Sequence, residues 1–76
     1  MIYLKHKKLG KCEVICHYKD VGIVELKNNY EKYVVAINLS AEKGIWRKGI
    51  YCKSLKDAGE VFNNILEYFY MVSFKI

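Results

Sequence analysis

The stretch from residue 30 to residue 39, Tyr-Glu-Lys-Tyr-Val-Val-Ala-Ile-Asn-Leu, constrains the fold of this chain more than any other part. It is the longest run of β-branched and aromatic residues, which favour strands. Its side chains alternate between two apolar faces, one with Tyr33, Val35, Ile37 and Leu39 and the other with Val34 and Ala36. Because a strand that is apolar on both faces lies inside a sheet with cover on each side, we expect this strand to be central.

Four further segments have the composition of strands, residues 2–6, 12–18, 24–27 and 45–52. The first is expected to form an edge strand that ends in a basic run and Gly10. The facing of the last is left open between two sets of side chains, either Trp46, Ile50 and Cys52 or Ile45 and Tyr51. Together with the central strand, these segments predict a sheet of four or five strands.

The first hairpin is predicted to close through a three-residue loop ending at Gly22, where a positive φ allows a bulged turn. This loop places Tyr18 opposite Val24, and the apolar faces of the two strands agree. The alternative is a two-residue turn at positions 19–20. It puts polar side chains on the apolar face, so the longer loop is preferred.

The second hairpin is predicted to close through a two-residue turn at Asn28-Asn29. Asparagine tolerates the left-handed backbone conformation that such a turn requires. This turn places Val24 opposite Tyr33 and Ile23 opposite Val34.

An amphipathic helix is predicted after Ser54, which serves as the N-cap, with Asp57 three residues later as its capping-box partner. The apolar stripe of this helix consists of Leu55, Ala58, Phe62, Ile65, Leu66 and Phe69. Beyond Tyr70 the helical pattern fails, because Met71 and Phe74 fall on the polar side.

These elements predict a single small α+β domain over residues 1–76, an antiparallel meander of four to five strands with one C-terminal helix on one face. One helix covers only one face of a sheet. The other face is predicted to expose an apolar surface formed by Ile15, Ile23, Val34 and Ala36. Since the tail residues Met71 and Phe74 also lack a place on the helix, we expect this surface and the tail to form a homodimer interface.

The net charge of +5 is concentrated in two segments. Residues 1–11 contain four lysines and no acidic residue, and residues 42–56 contain five basic residues and one glutamate. If the fold brings these segments together, they form a basic patch for phosphates or for an acidic protein face. The predicted binding residues are Lys5, Lys7, Lys8, Lys11, Trp46, Arg47 and Lys48, with the aromatic ring available to stack a base.

Nothing in the sequence predicts catalysis. Cys12 and Cys16 lie four residues apart on a strand, about 13 Å, which is too far to share a metal ion. No phosphate-binding glycine loop or paired carboxylates are present. We therefore expect a non-enzymatic protein without metal or cofactor. The short apolar run at the N-terminus and the three cysteines predict a cytoplasmic protein without a signal peptide or membrane span.

The second half of the chain carries a resemblance. A strand at residues 33–36, a turn with Gly44, the pattern Trp46-x-x-Gly49-x-Tyr51 and a helix from Ser54 to Phe62 follow one another. This order is similar to small phage and mobile-element proteins of the anti-CRISPR type. The resemblance covers residues 33–62 and implies stoichiometric inhibition of a host nucleic-acid-targeting complex. The partner would be a host protein or protein–nucleic-acid complex. The alternative is a small basic protein that binds nucleic acid directly.

Overall fold

The structure, a computed structural model, describes residues 2–27 and 29–71. Its elements are β1 (Ile2–His6), β2 (Gly10–Tyr18), β3 (Val21–Glu25), β4 (Tyr33–Ile37), β5 (Lys48–Cys52) and α1 (Leu55–Tyr70). The five strands form one antiparallel sheet in chain order, and the helix packs against β3, β4 and β5. The predicted α+β class, the meander, the edge strand at residues 2–6 and the C-terminal helix are confirmed.

The turn between β2 and β3 differs from the prediction. It is a two-residue turn at Lys19 and Asp20, in which Lys19 has a φ of 53°. Tyr18 therefore pairs with Val21. The predicted three-residue loop ending at Gly22 is wrong, and the alternative turn is the one that forms.

A β-bulge on β2 explains why the shorter turn buries no polar side chain. The register shifts between Val14 and Cys16. Without this shift Glu13 would lie opposite Leu26, which is fully buried. With the shift Glu13 lies opposite Glu25 instead. The one extra residue on β2 thus switches the residues before the bulge to the other face of the sheet, which keeps Glu13 out of the core.

The register between β3 and β4 is one residue from the prediction. Val24 pairs with Val34 instead of with the preceding residue. The N–H of Leu26 donates to the carbonyl oxygen of Lys32 at 2.7 Å, which closes a longer loop than the predicted two-asparagine turn. Asn28, the first residue of that turn, lies outside the described residues. A register slip of one residue moves every side chain of a strand to the other face, so the predicted register assigned side chains to the wrong faces of the sheet.

The helix begins as predicted, since the Ser54 Oγ accepts the N–H of Asp57 at 3.1 Å. The core on this side of the sheet contains Val21, Ile23, Val35, Cys52, Ala58, Phe62 and Leu66. Phe69 was expected in the apolar stripe but is 63% exposed. The last turn places Tyr70 on the sheet instead, and its hydroxyl donates to Asp20 Oδ1 at 2.7 Å.

A second core lies on the opposite face of the sheet. It contains Leu4, Cys12, Val14, Val24, Leu26, Val34 and Ala36, with Leu9, Leu39 and Trp46 packed against it. Leu39 and Trp46 belong to the connection between β4 and β5, which we call the 38–47 segment. This segment supplies the cover that the helix cannot give, and it makes the sheet a layer between two cores.

The exposed apolar face predicted from the sequence is therefore wrong. Ile15 and Ile23 lie on the helix side of the sheet, and Val34 and Ala36 are fully buried in the second core. The prediction failed because the register was displaced and because residues 38–47 were divided between two strands and a turn at residues 40–44. The predicted homodimer can therefore not use this sheet face as its interface, and the dimer itself stays a prediction.

The last strand is shorter than the predicted residues 45–52, because Ile45 forms an isolated bridge with Ser40 instead. The first predicted facing is right for Ile50 and Cys52, which lie in the helix-side core, and wrong for Trp46, which packs on the second core.

Of the predicted tail contacts, only Met71 is among the described residues. It caps the helix with a left-handed φ of 57°, and its side chain is exposed. Phe74 lies outside the described residues. No helix within residues 2–27 and 29–71 has the length and apolarity required to cross a membrane.

Candidate functional site

The turn between β1 and β2 presents Lys7 and Lys8, two of the predicted binding residues. His6 holds its conformation, because the His6 Nδ1 accepts the backbone N–H of Lys8 at 3.1 Å and that of Leu9 at 3.2 Å. The turn then requires an unprotonated Nδ1. Both lysines are exposed and stand on a backbone with a defined shape.

The 38–47 segment is anchored at its start by Asp20. The side-chain amide of Asn38 donates to Asp20 Oδ2 at 3.0 Å, and the N–H of Leu39 donates to the Asp20 carbonyl at 2.8 Å. Further along, the N–H of Gly44 donates to the Ser40 carbonyl at 2.8 Å. These bonds give the segment a fixed path across the second core.

The segment reaches β1 at two points. Gly44, with a φ of 68°, lies so close to β1 that a Cβ added there would overlap the backbone of Lys5. Next to this contact, the rings of His6 and Trp46 lie 4.7 Å apart between centroids, tilted by 34°. The two basic segments of the sequence, more than 30 residues apart, therefore meet at β1.

We call the exposed cations of β1, β2 and their turn, together with Lys43 next to Gly44, the basic cluster: Lys5, Lys7, Lys8, Lys11 and Lys43. Arg47 and Lys48 are not part of the cluster, because the Arg47 N–H donates to the Ile37 carbonyl oxygen and Lys48 pairs with Ile37 at the other end of the sheet. Such a concentration of cations raises the local concentration of phosphates or other anions.

Trp46, a predicted binding residue, lies in a contact within the fold, and its binding role stays a prediction. It is half-buried, with its ring against His6 and over the second core. This position makes Trp46 a structural contact between the two basic segments. Tyr51 remains exposed, but it lies on the opposite edge strand from β1.

The outer face of β1 and β2 shows an aromatic residue that the site prediction omitted. Lys5 pairs with Lys11 across the two strands, and the Lys11 Nζ lies 4.4 Å from the centroid of the Tyr3 ring. Tyr3 is 44% exposed. The signal was present in the sequence, since Tyr3 and Lys5 alternate on one strand and must share a face.

The three thiols lie outside this site. Cys12 and Cys52 are buried and Cys16 is half-buried. Burial raises the pKa of each thiol from its ordinary value, and the nearby carboxylates of Asp57 and Glu31 raise that of Cys52 further. Thiols of this kind are protonated at neutral pH and react slowly. Within the part of the chain that the structure describes, no group of three or more His, Cys, Asp or Glu residues could hold a metal ion.

Comparisons with protein-family models, with curated proteins and with solved structures find no match to this chain. The basic cluster is therefore the feature from which we infer a function.

Proposed function

We propose that this protein acts by binding and that the basic cluster is its contact surface for nucleic acid. The observation that carries the proposal is the junction at β1, where the Gly44–Lys5 and His6–Trp46 contacts unite two basic segments. Gathered cations release counterions when they bind a phosphate backbone, which is the main source of affinity for nucleic acid.

The arrangement of Lys5 and Lys11 supports the same proposal. They lie directly opposite each other on neighbouring strands, and like charges in that position destabilise a sheet. Both side chains are exposed, so core packing does not require them. A phosphate between two such lysines would remove their repulsion.

The test is the salt dependence of affinity for a labelled oligonucleotide, measured by fluorescence anisotropy. Each phosphate contact to a single strand adds about 0.7 to the slope of log affinity against log salt, so changing Lys5, Lys7, Lys8 and Lys11 to Gln should lower the slope by up to ~3. The matched control changes four exposed lysines elsewhere, Lys19, Lys27, Lys32 and Lys56, to Gln. It removes the same charge and should lower the slope much less.

Equal effects of the two quadruple variants would mean that net charge alone drives binding, which would refute the basic cluster as the site. Binding without salt dependence, or no binding at low salt, would refute the proposed function itself.

A second candidate is the stoichiometric inhibitor of a nucleic-acid-targeting complex, for which the resemblance of residues 33–62 is the first reason. An observation favours it. Tyr68, Phe69 and Met71 at the end of α1 are all exposed, with the Tyr68 and Phe69 rings in edge contact at 4.9 Å. Exposed aromatic and methionine side chains are enriched in protein interfaces. A homodimer, if it forms, would have this surface available in place of the buried sheet face.

This candidate is tested by adding the protein to reconstituted CRISPR nuclease complexes and measuring target cleavage. A stoichiometric inhibitor should abolish cleavage near one molecule per complex, and changing Tyr68 and Phe69 to Ser should shift the titration to higher ratios. Unchanged cleavage at a tenfold excess across the main types of complex would exclude it.

A further inference from the structure

The outer face of the β1–β2 hairpin carries an aromatic ring among cations. Tyr3, Lys5 and Lys11 share this face, on the side opposite the second core, and all three are exposed. The helix packs over β3, β4 and β5, so it leaves this part of the sheet accessible. The face belongs to the basic cluster but differs from the rest of it by offering a flat apolar surface.

A shallow, open groove lies here, lined by Tyr3, Leu4, Lys5 and Lys11. Because Tyr3 is 44% exposed, a planar base can approach its ring from this groove.

The charges around Tyr3 give the groove a polarity. Lys5 and Lys11 lie toward the β1–β2 turn, whereas Glu13 is the cross-strand partner of Tyr3. A carboxylate at that position repels phosphate, so an anionic chain passing over Tyr3 would place its phosphates toward the two lysines and the turn.

From this juxtaposition we propose that the groove binds a single-stranded nucleic acid, with one base stacked on Tyr3 and the adjoining phosphates at Lys5 and Lys11. This inference rests on the proposed function and narrows it to single strands. In a duplex each base is stacked between its neighbours and offers no free face, whereas a single strand can place a base on an aromatic ring.

The contact between Lys11 and Tyr3 fits this role. An exposed cation–π contact is weaker than the stacking of a base on an aromatic ring. An arriving base can therefore displace the Lys11 ammonium group from the ring, which leaves the ammonium free to meet the phosphate next to that base.

The test compares the affinities of a labelled single-stranded ten-nucleotide oligomer and of its duplex for Tyr3 variants. Tyr3→Leu removes the ring and should weaken single-strand binding by about 5- to 140-fold, the range expected for one stacked base. Its salt slope should stay unchanged, because no charge is removed. Tyr3→Phe keeps the ring and should bind nearly as well as the original protein.

The chain offers a matched control in Tyr30, which is 79% exposed and also lies under a lysine, with the Lys53 Nζ 4.7 Å from its ring centroid. Tyr30→Leu makes the same chemical change outside the groove and should leave affinity unaltered. Melting curves of all variants show whether any loss comes from unfolding.

The outcomes separate the two proposals. If the lysine variants lose salt dependence while Tyr3→Leu binds normally, nucleic-acid binding stands and base stacking is overturned. If Tyr3→Leu weakens single-strand and duplex binding equally, or if Tyr30→Leu does the same as Tyr3→Leu, the single-strand site is overturned. If the unaltered protein shows no salt-dependent binding, both proposals fail.

Discussion

Replacing Gly44 by Ala tests whether the 38–47 segment holds the basic cluster together. The substitution meets two obstacles. Gly44 has a φ of 68°, a conformation that costs an L-residue about 1–2 kcal/mol. In addition, the new Cβ would overlap the backbone of Lys5, and overpacking of this kind costs about 1–3 kcal/mol. We expect Gly44→Ala to lower the free energy of unfolding by about 2–5 kcal/mol.

Gly10 provides the control for the first of these terms. It also has a positive φ, 78°, but a Cβ added there has no neighbour within 4 Å. Gly10→Ala should therefore cost only the conformational part, about 1–2 kcal/mol. The difference between the two variants isolates the steric conflict between the 38–47 segment and β1.

The measurement is urea denaturation followed by the fluorescence of Trp46, the only tryptophan in the chain. Because the Trp46 ring contacts His6, its emission should also report local detachment of the segment before global unfolding. Equal destabilisation by Gly44→Ala and Gly10→Ala, with the same folded-state emission, would refute the close contact at β1. The 38–47 segment would then not be what joins the two basic segments.

Two further predictions concern the helix. Leu66→Ala and Phe62→Ala should each lower the free energy of unfolding by about 2–5 kcal/mol, because both side chains are buried in the helix-side core. Phe69→Ala, at an exposed position, should lower it by less than about 0.5 kcal/mol. Comparable losses at all three positions in thermal melts would mean that the helix is not docked as described. The hydrogen bond from the Tyr70 hydroxyl is the main cause that lowers the pKa of the Asp20 carboxyl. The ionised Asp20 should therefore stabilise the fold at pH values above the pKa that Asp20 has in the unfolded chain. This stabilisation should be lost as the pH falls through the lower pKa that Asp20 has in the folded protein. Unfolding measured from pH 2 to 7 should show Tyr70→Phe less stable than the original at pH 6 and equal to it in strong acid, while Tyr68→Phe follows the original throughout; a difference that persists in acid would contradict this.

The elements that local sequence specifies were predictable. The helix has its own signals, since Ser54 caps it and its apolar residues recur at helical spacing. The central strand is recognisable because both its faces are apolar. The class of fold follows from these two features and the order of the remaining strands.

The strand registers were not predictable, because they depend on contacts between distant residues. Gly22 illustrates the difficulty. Its presence suggested a turn, yet a Cβ there would lie 3.0 Å from Leu39 Cδ2 and 3.0 Å from the Cys16 carbonyl oxygen. A side chain at position 22 would therefore crowd the 38–47 segment and β2. The positive φ of the turn falls on Lys19, a residue type that gives no such signal.

The candidate site was predictable in its parts and not in its assembly. The two basic segments are visible in the sequence, but strand pairing does not join them, since β1 and β5 are opposite edges of the sheet. The 38–47 segment joins them by crossing the second core. The sequence indicates a turn only at residues 40–44, between two strands, so the contact of Trp46 with His6 that holds the segment was not predicted.

The second core and the basic cluster are thus built by the same contacts, and a loss of binding could in principle reflect a loss of folding. The lysines separate these effects. Lys5 and Lys11 oppose each other across β1 and β2, so changing both to Gln removes a repulsion as well as the exposed Lys11–Tyr3 contact, and the free energy of unfolding should change little. Gly44→Ala, in contrast, should lower both stability and affinity. If the lysine variant binds more weakly while its free energy of unfolding is unchanged, the basic cluster serves binding and not the stability of the fold.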